Sequence, residues 1–228
     1  MNIKYINKTT LIDFPKTVAA TIWIGGCNFN CDYCYNKTLV NDYNDIPSIP
    51  VPEVLAFIES RKHVLEGVVI SGGEPTLEPD LKSFIQEIKT LGLKIKLDTN
   101  GYSPSVIQEL NPLLDYIAMD IKAPEAKYSS VVGLSQFDMA PIKESIKIIK
   151  TFKNYEFRTT LWKDMLSLDE FEQMLNLIEP CNNYFLQNYY KIENDQSNRQ
   201  GLSKQEIEPF LTTGKKYIKN IQLRGNFR

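Results

Sequence analysis

The sequence predicts an α/β protein built on a curved parallel sheet, a partial (β/α)6 TIM-like barrel. Short runs rich in β-branched and aromatic residues alternate with amphipathic stretches along the chain. Strand–helix alternation repeated this often implies parallel strands joined by right-handed crossovers. Six such units are too few for eight-fold closure, so an open barrel or a strongly curved sheet fits better. No internal repeat, low-complexity tract or Gly/Ser linker interrupts the pattern, which predicts one continuous domain over residues 1–228.

The strand candidates are Val18–Ile24, Gly67–Ile70, Leu93–Leu97, Tyr116–Met119, Tyr155–Leu161 and Tyr184–Gln187. Helical patterns fall between them at Val51–His63, Asp80–Leu91, Ser103–Leu110, Pro141–Phe152 and Ser167–Ile178. Ser103-Pro104, and Ser167 ahead of Asp169-Glu170, are suitable helix starts. Gly92, directly after Asp80–Leu91, is the expected stop signal. A last helix over Lys204–Lys216 and an apolar stretch at Tyr217–Leu223 are expected to cover or extend the far edge.

Composition narrows the function class. The 26 basic and 28 acidic side chains nearly cancel, which argues against a surface made for nucleic acid. No apolar run is long enough to span a bilayer, and Met1 to Thr10 lacks the apolar stretch of a secretory signal. A cytoplasmic protein is expected. The single histidine, His63, closes an amphipathic helix and rules out a histidine pair or triad.

Three of the four cysteines fall in Cys27-Asn28-Phe29-Asn30-Cys31-Asp32-Tyr33-Cys34, after Gly25-Gly26. Clustered cysteines without an export signal point to metal rather than disulfides. A loop with this spacing can bring three thiolates to one iron–sulfur cubane, which usually takes four ligands, leaving one iron open. Zinc prefers paired Cys-x-x-Cys elements, and no second pair exists. Cys181 is a possible fourth ligand by type, but it follows Pro180 at a strand start and reads as a buried structural residue.

This spacing, with an aromatic before the last cysteine, resembles the signature of the radical S-adenosylmethionine (SAM) superfamily. The resemblance implies a radical SAM core fold and a [4Fe–4S] cluster on Cys27, Cys31 and Cys34, these being the catalytic residues. It further implies that the amino and carboxylate groups of SAM chelate the open iron, and that one electron cleaves SAM to methionine and a 5′-deoxyadenosyl radical. The Tyr33 main chain would lie near the adenine.

Other polar clusters sit at strand ends. Ser71-Gly72-Gly73-Glu74-Pro75 follows Gly67–Ile70 and resembles the family's GGE motif, which implies that Gly72, Gly73 and Glu74 hold the methionine amino group. Alone it reads equally well as a turn before a helix. Asp98-Thr99-Asn100-Gly101 reads alone as an Asn-Gly turn, and Asp120 with Lys122 as an exposed ion pair. Their common position decides: each ends a predicted strand, on the rim where α/β barrels place catalytic groups. Arg158 and Gln187-Asn188 add polar groups at the same level.

Asp98-Thr99-Asn100-Gly101 together with Asp120-Ile121-Lys122 is similar to activating enzymes of glycyl-radical enzymes. Thr10-Leu11-Ile12-Asp13-Phe14-Pro15 and Gln222-Leu223-Arg224-Gly225 are similar to activators of anaerobic ribonucleoside-triphosphate reductase. The resemblance implies that this reductase, a glycyl-radical enzyme, is the partner and that a flavodoxin- or ferredoxin-type protein supplies the electron. It also implies a monovalent cation near Asp98 and Asp120 against the SAM carboxylate, with Asn100, Lys122 and Arg158 facing the cofactor. Two positions depart from the activators: Asp32 stands where proline is common and Tyr35 where histidine is common. Competing readings are a radical SAM enzyme acting on a small molecule, such as a 7-carboxy-7-deazaguanine synthase, or on a peptide. A non-catalytic electron-transfer module would leave Glu74, Asp98, Asp120 and Lys122 without a role.

Overall fold

A computed structural model describes residues 1–191 and 197–227. In chain order its elements are β1 (Ile3–Thr10), β2 (Ala19–Ile24), α1 (Lys37–Asn41), α2 (Val51–Arg61), β3 (Gly67–Gly72), α3 (Leu81–Thr90), β4 (Lys94–Thr99) and α4 (Pro104–Leu110). There follow β5 (Tyr116–Asp120), α5 (Glu125–Val132), α6 (Ala140–Ile149), β6 (Tyr155–Leu161), α7 (Leu168–Ile178), β7 (Tyr184–Asn188), α8 (Lys204–Tyr217) and β8 (Ile221–Arg224). Among the described residues the strands form one eight-stranded sheet in sequence order. Neighbours from β2 to β8 are parallel, and β1 runs antiparallel to β2. Among the described residues no pairing joins β8 to β1, so the barrel stays open along one side.

The six expected strands are β2 to β7, and the count is corrected to eight. The edge strand β1 escapes sequence reading because register shifts after Ile3 and Asn7 break the period-2 alternation on which strand recognition depends. The Tyr217–Leu223 stretch divides: Tyr217 closes α8, and β8 extends the sheet beside β7. Helices α1 and α5 are also additions to the predicted set; α5 buries only Tyr128 and Val132 and so carries a weak apolar stripe.

Successive strand residues face opposite sides of the sheet. Val68 and Ile70, Ile95 and Leu97, and Ile117 and Met119 point outward into the main core. Helices α3, α6 and α7 cover that face with apolar residues at helical spacing: Phe84, Ile85 and Ile88; Ile142, Ile146 and Ile149; Phe171, Met174, Leu175 and Ile178. The inner face alternates with the outer one. Its lower level is closed by Phe14, Ala19, Val69 and Tyr116, a separate small apolar cluster with the Phe14 and Tyr116 rings 6.0 Å apart. Above that plug the inner face is polar, so the barrel interior opens as a cavity instead of filling as core.

An ion pair with one buried partner ties the far edge to the barrel. Glu156 on β6 is fully buried and accepts from Tyr116 Oη at 2.8 Å, and from Arg224 Nη1 and Nη2 at 2.8 and 3.2 Å. The Arg224 guanidinium lies 4.0 Å from the Phe185 ring centroid, so β8 is fixed by its side chain as well as its backbone. Replacing Arg224 leaves a buried carboxylate uncompensated. Full burial of such a pair would set the cost at about 3–5 kcal/mol. Arg224 is 37% exposed, so water offsets part of it. Arg224→Ala is expected to lower unfolding free energy in urea by roughly 2–3 kcal/mol, and Glu156→Gln in the same chain to recover most of that loss. A change below experimental error in the single variant would show that the pair contributes nothing to holding β8.

Candidate functional site

The loop after β2 carries Cys27, Cys31 and Cys34 as free thiols on the wall of a cavity of about 390 Å³. That volume lies in the usual range for ligand pockets, about 300–1,000 Å³. The loop is pinned by main-chain bonds: Gly25 N–H donates to Asn2 O at 2.8 Å, Gly26 N–H to Leu39 O at 2.7 Å and Asn30 N–H to Val132 O at 2.8 Å. Phe29 anchors it against Tyr102 and Phe137, with ring centroids 5.4 and 5.9 Å away. Phe29 N–H donates to Cys27 Sγ at 3.4 Å, and Asn100 Nδ2 approaches the same sulfur at 3.8 Å while bonding Asn28 Oδ1 at 2.8 Å. Burial pushes the Cys27 thiol up to about 11 and raises Cys31 as well. Both therefore favour the thiol until a metal displaces the proton.

The end of β3 lies directly against this loop. Gly73 N–H donates to Ile24 O and Glu74 N–H to Gly26 O, both at 2.8 Å. A Cβ on Gly72 would fall 2.2 Å from Ile24 O, and one on Gly73 would fall 2.0 Å from Gly26 O. Gly72 also has φ +126°, which side chains rarely adopt. These glycines let two backbones touch, and their main chain lines the cavity.

Glu74 departs from the sequence expectation of a carboxylate offered to a bound amino group. It is 1% exposed and lies behind the cavity wall. Its Oε1 accepts from Thr76 N–H at 3.1 Å, Thr76 Oγ1 at 2.6 Å and Thr99 Oγ1 at 2.8 Å; its Oε2 accepts from Asn100 N–H at 2.6 Å. Burial raises its pKa against the lowering effect of these four donors. The side chain joins the end of β3 to the end of β4, a structural task that spacing alone does not reveal.

Asp98, Asp120, Lys122 and Arg158 meet at the cavity from three strand ends. Asp120 and Arg158 are direct cross-strand partners. Arg158 bridges both acids, with Nε 2.9 Å from Asp120 Oδ1 and Nη1 3.3 Å from Asp98 Oδ2. Lys122 Nζ lies 2.9 Å from Asp120 Oδ2, and Lys96 pairs with Asp98 Oδ1. Burial alone would raise both carboxyls. The charges of Arg158 and Lys96 outweigh it at Asp98, and those of Arg158 and Lys122 at Asp120, so both fall below the usual range. Asp120 in turn holds Lys122 protonated against its own burial. The guanidinium lies between the two acids.

Aromatic side chains frame the cavity. Tyr33, buried, packs its ring 4.9 Å from Trp162, with Lys122 Nζ 5.9 Å over it. The two positions that depart from the activator pattern both find local partners. Asp32 pairs with Arg199, and Tyr35 stacks on Tyr190 at 4.3 Å while accepting from its N–H at 3.0 Å. Cavity-lining Trp23, Asn36 and Thr160 carry no motif and were not foreseen. Gln187 lines the cavity as expected; Asn188 turns away to bond the main chain of Leu202 and Asn226. Lys96 had one usable signal, a lysine inside a strand that parallel packing should bury on both faces. Cys181 is buried ahead of β7, at the strand end opposite to the cysteine loop, too far round the sheet to serve as a fourth ligand of the same site.

Comparison with known proteins agrees with this geometry. The Radical SAM superfamily model matches residues 21–178, from β2 to the end of α7. A Methanocaldococcus jannaschii protein, provisionally named a glycyl-radical enzyme activating enzyme, is 32% identical over 93% of this chain and 91% of its own. A second protein of that organism with the same provisional name is 27% identical over 91% and 81%. Among solved structures, a radical SAM methyltransferase from Sphaerobacter thermophilus superposes with a TM-score of 0.70 over 95% of this chain and 68% of its own; at 17% identity this is a likeness of fold.

The contact between the two glycine-bearing loops gives a direct test. In Gly73→Ala a methyl group meets a main-chain oxygen that no rotamer change can move. We expect a loss of about 1–3 kcal/mol in unfolding free energy, the usual range for overpacking, together with faster hydrogen exchange in the cysteine loop. Unchanged stability and exchange would show that the loops separate freely.

Proposed function

The chain belongs to the radical SAM superfamily, and on that premise we propose that Cys27, Cys31 and Cys34 hold a [4Fe–4S] cluster beside bound SAM and that the enzyme activates a glycyl-radical enzyme. When bound, this pair supplies reductive cleavage of SAM and hydrogen-atom abstraction. The observation that carries the reading is that three thiols of one loop open into the same cavity as Asp98, Asp120, Lys122 and Arg158, which arrive from three other strands. Thiolates are the natural ligands of such clusters, and three leave a position free toward the cavity. The main chain around Cys27 approaches closely enough to donate to sulfur, the kind of contact that tunes a cluster.

The remaining residues bind and orient. Lys122 and Arg158 offer positive charge to a carboxylate, and Tyr33 presents its main chain to the adenine. Gly72 and Gly73 form the floor that receives the amino acid moiety. Glu74 acts on the ligand indirectly, by fixing Gly72, Gly73, Thr99 and Asn100 in place. The choice of a glycyl-radical partner is supported by the likeness to activating enzymes over nearly the whole chain. Within that class we assign the anaerobic ribonucleoside-triphosphate reductase. Support comes from the likeness of the Thr10–Pro15 and Gln222–Gly225 segments to activators of that reductase. A flavodoxin- or ferredoxin-type protein supplies the electron. Among the described residues no helix is long and apolar enough to cross a membrane.

Two measurements test the reading. Anaerobic reconstitution is expected to give about four irons and four sulfides per chain. Alanine at Cys27, Cys31 or Cys34 should abolish the stable cluster, and Cys181→Ala should keep it; iron loss in the Cys181 variant would contradict the open-iron assignment. The second measurement mixes the reduced enzyme and SAM anaerobically with the reductase. A glycine Cα radical is delocalised over both flanking peptide groups, so it outlives activation and shows in electron paramagnetic resonance as a doublet split by the remaining α-hydrogen. The doublet is expected on the reductase. Consumption of SAM with turnover of a small metabolite, and no doublet on any glycyl-radical enzyme, would replace the activase reading with a small-molecule one.

A further inference from the structure

The two acids on the cavity floor are already fully served by the protein. Each of their four carboxylate oxygens faces a side-chain cation: Asp98 Oδ1 faces Lys96, Asp98 Oδ2 and Asp120 Oδ1 face Arg158, and Asp120 Oδ2 faces Lys122. Within this ion-pair network, three cations against two anions leave one positive charge in surplus. Lys96 is what tips that balance. It is 2% exposed, sits on the inner face of β4 two residues before Asp98, and does not itself line the cavity. A sodium or potassium ion between the acids would have to displace these donors and sit among three like charges. The donor set therefore does not fit such an ion.

We propose that Lys96 is a positioning residue that replaces a bound monovalent metal cation, so that Arg158 and Lys122 receive the SAM carboxylate without one. The surplus positive charge belongs to the network on Asp98 and Asp120, the part of the wall that would face that carboxylate; Asp13, the other acid on the wall, accepts from Thr21 Oγ1 at 2.7 Å. Lys96 neutralises one side of Asp98 and so frees part of the Arg158 charge to face the ligand. A covalently fixed ammonium does not exchange with solvent ions, so SAM affinity is independent of which cation the buffer contains. This inference rests on the SAM reading above and adds to it a definite ionic requirement, namely none.

The experiment uses cluster-loaded, unreduced protein in sodium, potassium or tetramethylammonium chloride at equal ionic strength, with SAM binding followed by calorimetry. Tetramethylammonium is too large and too weakly coordinating to act as a ligand-bridging ion. For the unaltered protein the three dissociation constants should agree within about twofold, and for Lys96→Met binding in tetramethylammonium should weaken about tenfold, the size of one lost charge-assisted contact. Sodium or potassium should restore part of that loss, and Lys96→Arg should remain insensitive to the cation. A tenfold or greater loss for the unaltered protein in tetramethylammonium would overturn the proposal, as would Lys96→Met binding equally weakly in all three salts. Thallium(I) titration of the unaltered protein, followed by nuclear magnetic resonance, decides the cation question even if the variant does not fold. No saturable site is expected, and a site that disappears in Asp98→Asn would refute the idea. Absence of SAM binding in every salt would instead refute the cofactor assignment, while the thallium result would still stand for the acid pair.

Discussion

Arg158 stands between Asp98 and Asp120 on the inner face of the sheet, and that guanidinium is the constraint from which the rest of the site follows. Charges taken out of water have to be matched by partners of good geometry, or the fold would expel them. Here the matching is done across three adjacent strands, whose register places Asp120 opposite Arg158 and brings Asp98 alongside. The polar interior in turn prevents the barrel from filling with apolar side chains. A cavity remains, with the apolar residues confined to a plug of Phe14, Ala19, Val69 and Tyr116 beneath it.

The second organising contact is between backbones. The cysteine loop and the Gly72-Gly73-Glu74 turn meet through main-chain hydrogen bonds that leave no room for a Cβ. Glu74 then carries that contact onward to Thr99 and Asn100, and Asn100 reaches back to Asn28 and the Cys27 sulfur. Loops from β2, β3 and β4 thus brace one another in a closed circuit. Such bracing gives a reactive centre fixed geometry, because each group that could drift is held by a neighbour on another strand. It also gives the buried Glu74 a structural task behind the cavity wall that the glycines line.

Much of this was legible in the residues. Six strands, most of the helices and the capping pattern of α7 follow from periodicity and end signals, and the Ser167–Glu170 capping box is formed as its sequence suggests. What periodicity lost was β1, whose bulges disturb alternation, and α5, whose apolar stripe is only two residues wide. The cavity residues with motifs were legible because most of them sit where a strand ends and a loop begins. Trp23, Asn36 and Thr160 have no such marker, since a side chain reaches a cavity through sheet curvature and not through its local sequence.

The sequence by itself determined the chemistry at hand: three thiols in one short loop, acids and bases at successive strand ends, and the parallel fold that lines those ends up on one rim. These are local properties, written in spacing and residue type. The tertiary structure alone decided direction and partnership. It turned the Glu74 carboxylate behind the wall, placed Cys181 at the opposite end of the sheet, and set the buried Lys96 beside Asp98 so that the acid pair is neutralised from within. Those outcomes depend on strand register and on which face of a curved sheet a residue occupies. Both are fixed only when the whole sheet closes around its core.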